Sequence, residues 1–252
     1  MTGPSTDLPT PSDAAVAALA PTGVLRAAIN LGNFLLVTGR TDAGDPTGVS
    51  PGMAQALAGR LGVPLELLPY RSPAAIANAA PEGAWDVGNI GAEAQRATVI
   101  DFTAAYCEIE ATYLVPAGSA ITTVAEVDRP GRRVASAYRA AYDLWLERNL
   151  VHAELVRATG LDGSFDAFVG QQLDALAGLR PRLLDDMGRL PGSRVLDGSF
   201  STVQQAMGTP VGRAEAGIEY LRRFVEAAKA SGLVAELITA HQVNGLSVAP
   251  PA

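Results

Sequence analysis

Between Gly23 and Leu68 the chain reads strand, turn, helix, strand, and that order constrains the fold more than any other stretch. Val24 to Ile29 reads as a buried strand that ends at Asn30-Leu31-Gly32-Asn33. Thr41 to Gly48 is a polar turn segment with two Gly and a Pro. From Gly52 to Leu61 the apolar residues Met53, Leu57 and Leu61 recur every four positions, so one helix face is apolar. Gly62 stands where a helix C-cap is expected, and Val63 to Leu68 reads as the next strand. Strands alternating with helices favour a parallel α/β sheet.

The alternation continues. Helices are expected at Pro73 to Ala80, Ala140 to Leu150, around Leu183, at Arg213 to Ala230 and at Val234 to His241. Strands are expected at Trp85 to Ile90, Tyr113 to Pro116, Arg133 to Ala135 and Leu173 to Leu176, with extended segments at Val195 to Leu196 and Ser201 to Met207. In the long helix Ile218, Leu221, Phe224, Val225 and Ala228 form the buried stripe. No internal repeat stands out. With 252 residues, 48% of them hydrophobic and 18% charged, the chain has material for one large domain or two lobes.

The formal charge of -7 repels phosphate backbones, which argues against a nucleic-acid partner. No apolar run is long enough to cross a bilayer, so no membrane insertion is expected. Cys107 is the single cysteine and excludes an intramolecular disulfide. His152 and His241 share no ligand spacing with it, so neither a metal nor another cofactor is expected. The glycine-rich turns form no phosphate loop and no dinucleotide fingerprint.

Gly91 to Tyr106 is the most informative segment: Gly-Ala-Glu-Ala-Gln-Arg-Ala-Thr-Val-Ile-Asp-Phe-Thr-Ala-Ala-Tyr. Around it, in order, stand Gly23-Val24-Leu25-Arg26, Thr47-Gly48-Val49-Ser50, Ala58-Gly59-Arg60-Leu61-Gly62-Val63, Gly83-Ala84-Trp85-Asp86-Val87 and Val127-Asp128-Arg129-Pro130-Gly131-Arg132-Arg133-Val134. In order and spacing, over residues 22 to 242, these resemble the motifs of amino-acid-type solute-binding proteins of ABC transporters. That is family 3 of the bacterial extracellular solute-binding proteins. The resemblance implies a type II periplasmic-binding-protein fold: two α/β lobes joined by two hinge crossovers, with a ligand cleft between. The crossovers fall near Glu108 to Leu114 and Ser199 to Met207. Lobe one then comprises 21–110 and 205–245, and lobe two 111–204. Residues 1–20 are expected to be a flexible leader and 246–252 a flexible tail.

The resemblance also implies a function: capture of a small carboxylate-bearing solute by hinge closure, with no chemistry and no catalytic residue. The implied partner is an ABC permease, and the protein is expected to be a monomer. The family is periplasmic, yet the N-terminus lacks a basic start and a convincing apolar signal core. Either the export signal was trimmed or the protein stays in the cytoplasm as a binder uncoupled from transport.

Arg96 is the leading site residue, because a planar guanidinium matches a carboxylate bidentately and the Arg of this motif grips the solute's carboxylate in the family. Asn89 and Gly91 precede it at a strand end, where open α/β sheets bind ligands. Asn30, Asn33 and Phe34 follow the first strand, where the family places a pocket wall. In lobe two, Tyr138 and Arg139 lie in Ser136-Ala137-Tyr138-Arg139-Ala140-Ala141, with Arg139 where the family has Gly. Gln204 lies on the return crossover beside Gln205, and adjacent strand residues face opposite ways.

Amino-acid binders carry an acid shortly after Gln172-Leu173-Asp174-Ala175, where this chain has Gly178, Leu179 and Arg180. A buried ammonium without a counter-charge is costly. The sequence therefore favours a carboxylate without the amine, or a dicarboxylate held by Arg139 or Arg180. An enzymatic alternative is a cyclohexadienyl- or arogenate-dehydratase-like activity, with Glu93, Glu108 and Glu110 as the acids nearest the expected cleft.

Overall fold

The computed structural model describes residues 8–252. In chain order the elements are α1 (Asp13–Leu19), β1 (Leu25–Asn30), β2 (Gly39–Arg40), β3 (Pro46–Thr47), α2 (Val49–Leu61), β4 (Leu65–Tyr70), α3 (Pro73–Ala79), β5 (Val87–Gly91), β6 (Ile100–Val115), β7 (Arg133–Ala137), α4 (Ala141–Asn149), β8 (Glu154–Ala158), α5 (Gly160–Gly170), β9 (Ala175–Leu179), α6 (Arg180–Arg189), β10 (Arg194–Val195), β11 (Ser201–Pro210), α7 (Glu215–Ala230), α8 (Leu233–Ala240) and β12 (Ser247–Val248). The described residues divide into two units: 8–108 with 204–252, and 109–203. Both β6 and β11 run on from one unit into the other.

In unit 1 the strand order is β4-β1-β5-β11-β6. β1 pairs in parallel with β4 and β5, while β11 returns antiparallel beside β5. One sheet face buries Ala28 and Ile90 against Ile76, Ala77 and Trp85, whose indole donates to the Ile76 carbonyl. The other face buries Ala27 and Ile29 against Ala54 of α2. The predicted stripe of α7 is buried: Ile218, Leu221, Phe224, Val225 and Ala228. Each large apolar side chain so enclosed contributes roughly 1.5–3 kcal/mol. Gly62 ends α2 in the left-handed conformation, as its position in the sequence implied.

Unit 2 repeats the arrangement, with β6, β9, β7 and β8 in order and β7 parallel to both β8 and β9. Leu114, Ala135, Phe165, Phe168, Leu173, Leu176 and Leu183 form its core. The repetition, invisible as a sequence repeat, extends to electrostatics. In unit 1 Asp86 accepts from the Arg26 backbone N–H at 3.1 Å and pairs with its guanidinium at 2.8 Å. In unit 2 Asp174 accepts from the Arg133 backbone N–H at 2.8 Å and pairs with Arg132 at 2.7 Å. An aspartate before the third strand thus clasps the first strand in both units.

Several expectations need correction. The first seven residues of the expected leader lie outside the described residues. Its remainder is not loose: α1 packs on α7, with Ala15, Ala18 and Leu19 buried. A Cβ at Gly217 would come within 2.8 Å of the Ala18 Cβ, so this approach needs glycine. The tail is held too, since Ser247 and Val248 pair with Glu108 and Cys107 and Ala249 is buried. β8 and α5 fill a stretch for which the sequence suggested no element. The crossover strands are longer than expected, 16 residues in β6 and 10 in β11.

Cys107 is buried on β6, and burial, reinforced by the nearby Glu108 charge, pushes its thiol well above the ordinary range. The thiolate is the reactive species. A thiol-reactive dye is therefore expected to leave the folded protein unlabelled and to modify one thiol after unfolding. Labelling of the native protein at the rate of a free thiol would contradict this burial.

Candidate functional site in unit 1

The C-terminal end of β5 gathers most of the unit 1 residues singled out in the sequence. Arg96 begins a single 3-10 turn, Arg96–Thr98, and its side chain folds back so that Nη1 donates to the Gly91 carbonyl at 2.7 Å. The residue is only 3% exposed, so it is a buried guanidinium and not a surface charge. Gly91 is the last residue of β5 and sits across from Gln205 of β11. The next residue, Ala92, donates its N–H to the Gln204 carbonyl at 2.7 Å, which ties the corner to β11. Asn89 is fully buried, and neither its Oδ1 nor its Nδ2 has a protein hydrogen-bond partner.

After β1 the chain turns on two asparagines. Asn30 Oδ1 accepts from the Gly32 N–H at 3.0 Å, and Asn33 Oδ1 accepts from the Leu35 N–H at 3.2 Å. These are the local side-chain turns for which Asn is suited. Their first role is therefore to shape the loop, and Phe34, next after Asn33, is half-buried.

Gln204 and Gln205 divide as strand alternation requires. The Gln204 amide donates to Glu108 Oε1 at 2.8 Å, which commits it to the neighbouring strand. Gln205 shares a face with Gly91 and Asn89, is 3% exposed, and has an Oε1 without a protein partner. Sequence reasoning singled out Gln204; the side chain beside Gly91 is Gln205. Only the register with β5 reveals which of the two faces inward.

Tyr138 and Arg139 belong to unit 2. Tyr138 follows β7 and is 60% exposed. Arg139 has φ 59°, the left-handed region, where a non-glycine residue costs about 1–2 kcal/mol. This explains why the family motif has Gly there. Its backbone N–H donates to Asp143 at 2.9 Å, and the buried Asp143 pairs in turn with Arg157 at 3.0 Å. Arg180 does not serve as an uncommitted second cation. It holds Glu110 at 2.6 Å and donates to the Leu196 and Gly198 carbonyls. Arg180→Ala is expected to destabilise the protein by about 1–2 kcal/mol, mostly through the carbonyl bonds, because an exposed ion pair contributes little. Faster amide exchange confined to residues 196–200 would register the loss; unchanged exchange there would contradict it.

At the start of β5 lies a hollow of about 370 Å³, lined in part by Gly83, Val99, Pro210 and Arg213. Its cation is already committed, because Arg213 pairs with Asp86 at 2.7 Å. Among the described residues no cluster of His, Cys, Asp and Glu could hold a metal ion, and no helix is long and apolar enough to cross a membrane.

The model of the bacterial extracellular solute-binding proteins, family 3, matches residues 33–242. The chain belongs to that family. Solved structures agree with this solute-binding protein in fold. An arginine-binding protein mutant from T. maritima is 17% identical, with a TM-score of 0.71 over 91% of this chain and 100% of that one. An amino acid ABC transporter substrate-binding protein from Streptococcus pneumoniae, bound to L-arginine, is 19% identical, with a TM-score of 0.70 over 89% and 96%. An ancestral amino-acid-binding protein, a precursor of cyclohexadienyl dehydratase, gives 19% and 0.70 over 89% and 97%. Among curated proteins none matches. The type II periplasmic-binding-protein fold expected from the motifs is thus the fold of this family member.

Proposed function

We propose that this solute-binding protein captures a small carboxylate-bearing solute and delivers it to an ABC permease, without chemical change. The carrying observation is the buried Arg96, whose guanidinium donates to the Gly91 carbonyl at the end of β5. A guanidinium kept out of water strengthens any charge-assisted bond it makes to an anion. The solute's carboxylate docks on this fork in unit 1, and β6 and β11 serve as the hinge strands for closure. The named functions of the relatives, amino-acid binding for ABC transporters, support the reading. Delivery to a permease places the protein outside the cytoplasmic membrane, which fractionation of cells expressing the natural gene tests.

The dehydratase-like alternative gains little. A general acid at neutral pH works from a buried position. None of the three acids is fully buried: Glu110 is exposed and holds Arg180, Glu108 accepts the Gln204 amide, and Glu93 is half-buried. Incubation with prephenate or arogenate is expected to leave their absorbance unchanged; steady turnover would overturn the non-enzymatic reading. Titration calorimetry with a panel of small carboxylates tests the binding itself.

A further inference from the structure

Asn89 and Gln205 are the unexplained polar groups of unit 1. Both are buried, at 0% and 3% exposure. On β5 and β11, Gly91 faces Gln205 and Asn89 faces Met207, so the two amide side chains are diagonal neighbours on one face of the sheet. Diagonal neighbours of this kind lie about 7–8 Å apart, within reach of a common small group. Asn89 Oδ1, Asn89 Nδ2 and Gln205 Oε1 all lack a protein partner. A buried polar group left unpaired is destabilising, and native proteins retain few of them. Gly91, the residue between them, is the one whose carbonyl anchors Arg96.

The state of the buried acids bears on what such a pair can recognise. The buried acids among the described residues are Asp86, Asp143 and Asp186. Each is already paired with arginine of its own unit: Asp86 with Arg26 and Arg213, Asp143 with Arg157, Asp186 with Arg182 and Arg189. Every buried acid among the described residues is thus already committed to arginine, and burying a cationic solute group without a counter-charge is costly. The Asn89 and Gln205 amides are themselves neutral. Their open valences are two acceptors and one donor, which complement a group with two N–H donors and one carbonyl acceptor.

Resting on the reading of Arg96 as the carboxylate anchor, we propose that Asn89 and Gln205 are specificity-determining residues that read an uncharged primary carboxamide on the solute. The solute class is then a small carboxylate carrying a carboxamide and no amine, distinct from the L-arginine and the glutamine bound by two solved relatives.

Three probes of similar length separate the alternatives: succinamate, succinate and 4-aminobutyrate. All present one carboxylate, and they differ in a neutral amide, a second anion or a cation at the far end. Succinamate is expected to bind at least about tenfold more tightly than either of the others by calorimetry, a floor well under the roughly 10⁴–10⁵-fold by which a site built to hydrogen-bond a group can reject an analogue lacking it. Equal or tighter binding of succinate or 4-aminobutyrate, or no binding of succinamate, overturns the assignment. Loss of succinamate binding in Gln205→Met with retention in Arg96→Ala would leave this inference standing and sink the Arg96 anchor instead.

A second readout needs no ligand. If Gln205 Oε1 is held unpaired for a solute, replacing the residue with the apolar, similarly shaped Met raises Tm by about 2–4 °C. A fall in Tm shows that Gln205 bonds within the resting protein, through water or otherwise, and overturns the assignment.

Discussion

Arg96→Ala is expected to weaken solute binding by at least about 30-fold while the protein stays folded, since truncating one partner of a buried charged pair commonly costs about 2–5 kcal/mol. The Gly91 carbonyl loses its 2.7 Å donor in that variant, which is a smaller, local cost. Arg96→Lys keeps the charge but not the planar fork, so it should recover only part of the affinity. Calorimetry on all three proteins, with circular dichroism to confirm folding, separates the outcomes. If alanine and wild type bind alike, the carboxylate is held elsewhere.

Asp86→Ala should be the most destabilising single change in unit 1. Asp86 is fully buried, pairs with Arg26 at 2.8 Å and Arg213 at 2.7 Å, and accepts from the Arg26 backbone N–H. Removing it strands two guanidinium groups that are 25% and 19% exposed. Breaking a buried pair from one side costs about 3–5 kcal/mol, which for a chain of this size lowers Tm by roughly 10 °C. Thermal denaturation followed by circular dichroism measures it. A drop of only a degree or two would mean that the two arginines find other partners. The same aspartate belongs to the Gly83-to-Val87 motif, and Arg26 to the Gly23-to-Arg26 motif. Two fragments that looked independent in the sequence therefore meet as one ion pair that sets β1 against β5.

Local patterning made part of this fold legible and left part hidden for identifiable reasons. The α2 helix and its Gly62 cap follow from apolar spacing and backbone preference, both local. The α5 helix does not: Gly160, Gly163 and Gly170 lower its propensity, each by about 1 kcal/mol. It is packing of Phe165 and Phe168 that fixes it. β8 is an edge strand with no fully buried residue, so its sequence carries little strand signal. α1 looked like leader because its stability comes from α7, some 200 residues away.

At the site the same division holds. That Arg96 is the arginine of its motif was readable. The choice between Gln204 and Gln205 was not, because alternation gives two faces without saying which one looks inward. Arg180 looked available because its partner Glu110 lies 70 positions away in sequence. Long-range pairing of this kind leaves no local trace. The left-handed backbone at Arg139 was hinted at only by the glycine that family motifs hold there.

The claim on which the account turns is that Arg96 grips a carboxylate. Calorimetric titration of succinamate and of its methyl ester, into wild type and into Arg96→Ala, measures this directly. In wild type the acid should bind at least about 30-fold more tightly than the ester, and in the alanine variant the two should bind equally weakly. An ester that binds wild type as well as the acid, or an acid preference that survives the loss of Arg96, would contradict it.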